Sequence, residues 1–192
     1  MKKIINLIPV LLSTAIFTLS ACKKADLNDP SINPSSKSGI NNNNSTLQVN
    51  MTSSDPGMYK EVNVDIRLVE AGFSDGNGGT TWMPMNTNAD AYHLVAMQGT
   101  VALLATANIP GQTGRTIHQL RVMFGDANSV ELGDLVYSMQ LADNAKSGVI
   151  VDVNRKLNSE NESLLINFDA AASVGMNEIG QYILQPVITL VR

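Results

Sequence analysis

Two carboxylates in this chain stand where acid/base chemistry would need them. Asp65 and Asp169 both fall at strand-like positions, and a fold that held them at the right separation would have a glycosidase-type pair. Each also has a plainer reading, which we favour. By strand alternation Asp65 points away from its apolar neighbours, as a solvated strand residue does. Asp169 precedes Ala170-Ala171-Ala172-Ser173, where a carboxylate accepts backbone amides two or three residues on and so caps a turn. The two histidines, His93 and His118, lie in strand-like segments, and no Gly-x-Ser-x-Gly turn supplies a nucleophile for either. Two imidazoles without a His-Glu-x-x-His spacing do not make a zinc site. The expectation is therefore no catalytic residue, no metal and no cofactor. Asp75-Gly76-Asn77-Gly78-Gly79 alternates oxygen-bearing side chains with glycines, as short calcium loops do. It lacks a third ligand and a distant Glu, so a flexible turn is the better reading. Trp82 follows, with Met83 and Met85 beside it. An exposed Trp next to a polar loop can stack on a sugar ring, but a Trp is equally a core plug, and the core is favoured here. Trp82, Asp75 and Asn77 are thus the candidate ligand-binding residues. Tyr59, Tyr92 and Tyr137 are the other candidates for a platform in a chain only 5% aromatic.

One further residue has a chemistry of its own. Met1-Lys2-Lys3 is a short positive start, residues 4–19 are nearly all apolar or small, and Leu19-Ser20-Ala21-Cys22 closes the stretch. A positive start, an apolar run and small residues before a cleavage point make a secretory signal peptide. The ending resembles the lipobox of bacterial lipoproteins, in which the cysteine is acylated and becomes the new amino terminus. Residues 1–21 then read as a signal peptide and Cys22 as the lipidation site. A plain transmembrane anchor is the lesser alternative, since residues 4–21 are about long enough to span a bilayer. Several acyl chains on Cys22 would give stable attachment where one would not. Cys22 is the only cysteine, so the mature chain would form no disulfide and must be held by its core.

Processing would remove Lys2 and Lys3 and move the formal charge from −4 to about −6. An acidic surface argues against nucleic acid, which needs a basic face for its phosphates. Charged residues are 16% of the chain, below the roughly 25% usual in soluble domains. Asn, Ser, Thr and Gln fill the difference, as is common in β-rich exported proteins.

Positioning falls to two regions. Residues 22–46 carry Pro30, Pro34, Gly39 and four consecutive asparagines, offer little to bury, and read as a flexible tether. Residues 47–192 alternate as strands do. Val62, Val64, Ile66 and Leu68 share one predicted face, with Asn63, Asp65 and Arg67 on the other. Leu120, Val122 and Phe124 repeat the pattern, as do Val149, Val151 and Val153, and then Leu164, Ile166 and Phe168. Residues 182–191 read as one strand apolar on both faces, with Pro186 implying an edge or a bulge. Turn signals such as Asp55-Pro56-Gly57, Gly125-Asp126 and Gly133-Asp134 separate the runs. Residues 101–107 and 170–174 are short enough only for helical turns. The pattern predicts an all-β, antiparallel sandwich with short helical turns.

These pieces resemble the domain of unknown function numbered 4382, found in many bacterial and archaeal lipoproteins. Asp55-Pro56-Gly57, Tyr59 and the strand Val62-Asn63-Val64-Asp65-Ile66 are similar to its opening pattern. Tyr92-His93-Leu94-Val95-Ala96, Ile109-Pro110 and Leu120-Arg121-Val122 resemble its middle. Phe168-Asp169-Ala170-Ala171-Ala172-Ser173-Val174 and Tyr182-Ile183-Leu184-Gln185-Pro186 resemble its close. The turn from Pro110 to Arg115 is longer than the family's, and Ile117 stands where the family has Tyr. The resemblance implies an immunoglobulin-like or prealbumin-like sandwich and no particular activity. The expected role is that of a non-enzymatic binding module lipid-anchored in the cell envelope, at the outer membrane, on its periplasmic or cell-surface face. Its partner would be a glycan or another envelope protein. The alternatives are an envelope glycoside hydrolase or another carboxylate-dependent hydrolase, and a structural subunit of a surface assembly.

Overall fold

The computed structural model describes residues 45–109, 114–158 and 160–192. The expected signal peptide, Cys22 and nearly all of the expected tether lie outside them, as does most of the long turn after Ile109.

Alternation sets the first strand, β1 (Ser45–Ser53), in which Leu47, Val49 and Met51 are fully buried. It is followed by β2 (Glu61–Ser74), β3 (Thr80–Pro84), β4 (Asn86–Thr87), β5 (Asp90–His93), a 3-10 turn at Val95–Met97, β6 (Ala102–Ile109) and β7 (Thr116–Phe124). Then come β8 (Asn128–Leu132), β9 (Leu135–Leu141), a 3-10 turn at Asp143–Ala145, β10 (Val149–Lys156) and β11 (Asn161–Phe168). The chain closes with α1 (Ala170–Ser173), β12 (Val174–Met176), β13 (Tyr182–Leu184) and β14 (Ile188–Leu190).

The strands form an all-β sandwich. One sheet has the order β14-β11-β1-β6-β4; the other runs β10-β7-β2-β8-β9-β13-β12, with β3 and β5 also paired to β2. A single core joins them: Leu47, Met51, Leu104, Ile166 and Phe168 from the smaller sheet meet Val64, Ile66, Ala71, Leu120 and Val122 from the larger. Each of these apart from Ala71 contributes about 1.5–3 kcal/mol when withdrawn from water, which is how a domain without disulfides holds together. Both sheets are mixed, where the sequence suggested antiparallel pairing throughout. β1 runs parallel to β11, and β13 runs parallel to β9.

Three local expectations are corrected. Against β7 the register of β2 shifts between Ile66 and Leu68. Arg67 is the extra residue, so Val69 continues the buried face in place of Leu68, which turns to the other side. The Ala-rich residues 101–107 contribute to strand β6, because pairing with β1 and β4 outweighs helix propensity. Residues 182–191 are two strands in two sheets. Gln185-Pro186-Val187 carries the chain from β13 to β14, and Pro186, with no N–H to donate, sits at that change of sheet. The helical turn expected at residues 170–174 is present as α1.

Candidate functional site

Asp65 and Asp169 both bind backbone. Asp65 is 1% exposed rather than solvated, which corrects the expectation for it. Its carboxylate accepts the Ala127 amide at 3.2 Å and pairs with the Arg67 guanidinium at 2.7 Å. The Asp65 amide donates to Asn128 Oδ1 at 2.8 Å, and the Gly125 amide donates to the Asp65 carbonyl at 2.8 Å. β7 ends and β8 begins here, opposite the same strand, and Asp65 ties down the joint between them. Asp169 caps α1, its Oδ1 accepting the Ala172 amide at 3.0 Å, as the sequence suggested.

The histidines are on strands and apart in their partners. His93 Nδ1 lies 2.6 Å from Glu61 Oε1, and His118 Nδ1 lies 3.1 Å from Asn154 Oδ1. Among the described residues no three His, Cys, Asp or Glu side chains gather as a metal site would need.

The Asp75 loop caps the β2–β3 hairpin. Asp75 Oδ1 accepts the amides of Asn77 at 2.8 Å and Gly79 at 2.9 Å, so this oxygen is turned into the loop. The loop borders an open polar groove of 310 Å³ with His118, Asp152 and Asn154 on its far wall. Trp82 does not line that groove. It is half-buried on the outer face of the larger sheet, opposite Gly72 of β2, so it is not a core plug. A Cβ at Gly72 would lie 2.9 Å from the indole ring. The Arg121 guanidinium sits 4.4 Å from the ring centroid and is itself paired with Glu70. Trp82 and the Asp75 loop both belong to the β2–β3 hairpin, with Trp82 outside the groove that the loop borders.

A group of exposed apolar side chains lies on β9 and the β12–β13 hairpin of the larger sheet. Leu135, Val136 and Tyr137 of β9 are 61%, 68% and 37% exposed, and Met176 and Ile179 near the β12–β13 turn are 57% and 78% exposed. Tyr137 contacts Tyr182 of β13 with ring centroids 5.0 Å apart. Between β9 and the β12–β13 hairpin runs a groove of 350 Å³ lined by Val136, Tyr137, Ser138, Gln181 and Tyr182. A second cavity of 510 Å³ lies toward the other end of β9, among Phe124, Asp126, Met139, Asp143 and Lys146. There the Lys146 ammonium, bonded to Asp143 at 2.7 Å, holds that carboxyl below its usual range. By strand alternation Leu135 and Tyr137 share the face of β9 that carries buried Met139, and Val136 points to the other. Of this set the sequence singled out only Tyr137. Leu135-Val136 follows the Gly133-Asp134 turn and reads as an ordinary strand start; only the sheet order leaves it uncovered.

The fold is an all-β sandwich, and several large apolar side chains are exposed at its β9 corner. The chain belongs to the family described as Domain of unknown function (DUF4382), whose model matches residues 44–186. No curated protein and no solved structure matches it significantly.

Proposed function

We propose that this chain is a lipid-anchored, non-enzymatic interaction module of the bacterial envelope, and that it holds a protein partner at the β9 corner. The exposed run Leu135-Val136-Tyr137, of which Val136 and Tyr137 line the groove, carries the reading. Hydrophobic and aromatic side chains at the centre of a patch, with polar groups around it, are the composition of protein interfaces. A protein partner is preferred to a glycan because the one Trp is already engaged by Gly72 and Arg121. A binding role is preferred to hydrolysis because Asp65 and Asp169 both hold backbone amides. The anchor rests on Leu19-Ser20-Ala21-Cys22 closing an apolar segment.

The test uses the full chain expressed in its own envelope and purified in mild detergent. Val136→Glu is expected to remove a co-purifying protein that Trp82→Ala and Asp75→Asn retain. Loss with Trp82→Ala or Asp75→Asn, and not with Val136→Glu, would move the site to the β2–β3 hairpin and overturn the assignment. Incorporation of a palmitate analogue is expected in the native chain and absent after Cys22→Ser. Equal incorporation in both would refute the anchor.

A further inference from the structure

The β9 corner has an open backbone edge as well as an apolar surface. Gly133 and Asp134 form the whole connection between β8 and β9, with Leu132 paired to Leu135. Gly133 has φ +62° and Asp134 is not in the positive region, the pattern of a type II′ turn. A two-residue hairpin of this kind closes on a hydrogen-bonded pair, and such pairs then recur at every second residue. Leu135, Tyr137 and Met139 therefore bond β8, opposite Leu132, Val130 and Asn128. Val136, Ser138 and Gln140 direct their N–H and C=O groups the other way. β13 takes up only the far end of this edge, pairing Ile183 with Gln140 and Leu184 with Leu141. Among the described residues no strand pairs with Val136 or Ser138 on that side. β13 is parallel to β9, and its preceding turn veers away to leave the groove beside Tyr137 and Tyr182.

An exposed apolar strand edge is a template for another strand, and chains that do not use one blunt it with lysine, proline or an inward charge. Residues 135–138 carry none of these. The charges around the strand are mostly of one sign: Asp134 and Glu178 belong to the two turns at its start, Asp126 and Asp143 lie near its end, and Lys60 and Lys146 oppose them. Two copies of such a rim repel each other, and a basic flank is attracted.

Building on the binding role above, we infer that the edge at Val136 and Ser138 is a strand-addition site for an extended segment of a partner protein. The segment has apolar side chains at alternate positions and basic residues on either side. Main-chain bonds to Val136 and Ser138 hold it, while Tyr137 and Tyr182, which line the groove, select its side chains.

The test measures binding of a labelled peptide, Lys-Thr-Val-Thr-Val-Thr-Lys, to the mature lipidated chain in nanodiscs by fluorescence anisotropy. Saturable binding is expected, at least tenfold weaker for a Glu-flanked peptide and at least tenfold weaker for one with a central Pro. Ser138→Pro removes an outward N–H and no bond to β8, and is expected to weaken binding at least tenfold. Val136→Lys, at a side chain already in water, should do the same with an unchanged melting temperature, and stands in if the proline variant does not fold. No binding, or equal affinity for the proline-interrupted peptide or for both variants, would overturn strand addition. So would a dimer in solution that Ser138→Pro converts to monomer, since the occupant would then be a second copy. If Ser138→Pro and Val136→Lys keep the co-purifying protein that Val136→Glu loses, the binding role stands and strand addition alone fails.

Discussion

At the scale of single residues, the side chains with the most reactive chemistry are holding the fold. Asp65 is buried and accepts an amide of the β7–β8 joint, so removing it leaves that donor without a partner. Asp65→Ala is expected to lower stability in urea by about 2–3 kcal/mol. A loss below a few tenths would contradict the structural role. Gly72 is a second such point, because a methyl there would lie 2.8 Å from Thr80 and 2.9 Å from the Trp82 ring. Trp82 is the only tryptophan, so its emission reports its own displacement. Gly72→Ala is expected to shift that emission to the red and to cost about 1–3 kcal/mol. An unmoved spectrum would mean that the indole does not rest on Gly72. Tyr92 adds an alkaline sensitivity: burial, and then the Asp90 carboxylate, raise its phenol above the ordinary value of 10.0. Its hydroxyl donates to the Asn88 carbonyl at 2.5 Å. A raised pKa in the folded state gives stability that is complete below about pH 10 and is lost as the pH climbs through the folded value. Tyr92→Phe should flatten the fall of melting temperature above pH 10; an unchanged slope would place the sensitivity elsewhere.

At the scale of elements, what the sequence revealed depended on whether neighbours or distant partners decide the outcome. Alternation in Val62-Asn63-Val64 and in Leu164-Leu165-Ile166-Asn167-Phe168 is local, and those stretches form with the expected faces. The α1 turn is local too, since Asp169 caps it from an adjacent position. The bulge at Arg67 depends on β7, more than fifty residues along, and no pattern within β2 announces it. Residues 101–107 are Ala-rich and become a strand only because β1 and β4 are beside them. The same reason hid the β9 corner. Leu135-Val136-Tyr137 would be an ordinary core segment if another strand covered it, and only the sheet order says that none of the described strands does. The β8–β9 hairpin depends on its turn. Gly133→Ala places a side chain at φ +62° and is expected to cost about 1–2 kcal/mol. Hydrogen exchange should show the loss of protection confined to β8 and β9, and protection unchanged there would refute the turn assignment.

At the scale of the molecule, the parts divide their tasks. The sandwich is held by one core without disulfides, and its formal charge of −4 argues against attraction to anionic surfaces. No helix of the described residues is long and apolar enough to cross a membrane. Attachment in this reading comes from lipid on Cys22, and recognition from the β9 corner. The most direct test is a photo-reactive residue placed at position 136 of the full chain in living cells, with position 150 as the control. Both side chains are exposed, Val136 at 68% and Ile150 at 44%, and they lie on strands far apart in the sheet order. A discrete protein adduct in the membrane fraction is expected from position 136 and none from position 150. No adduct at 136, or equal adducts at both positions, would contradict an interaction module that binds through this corner.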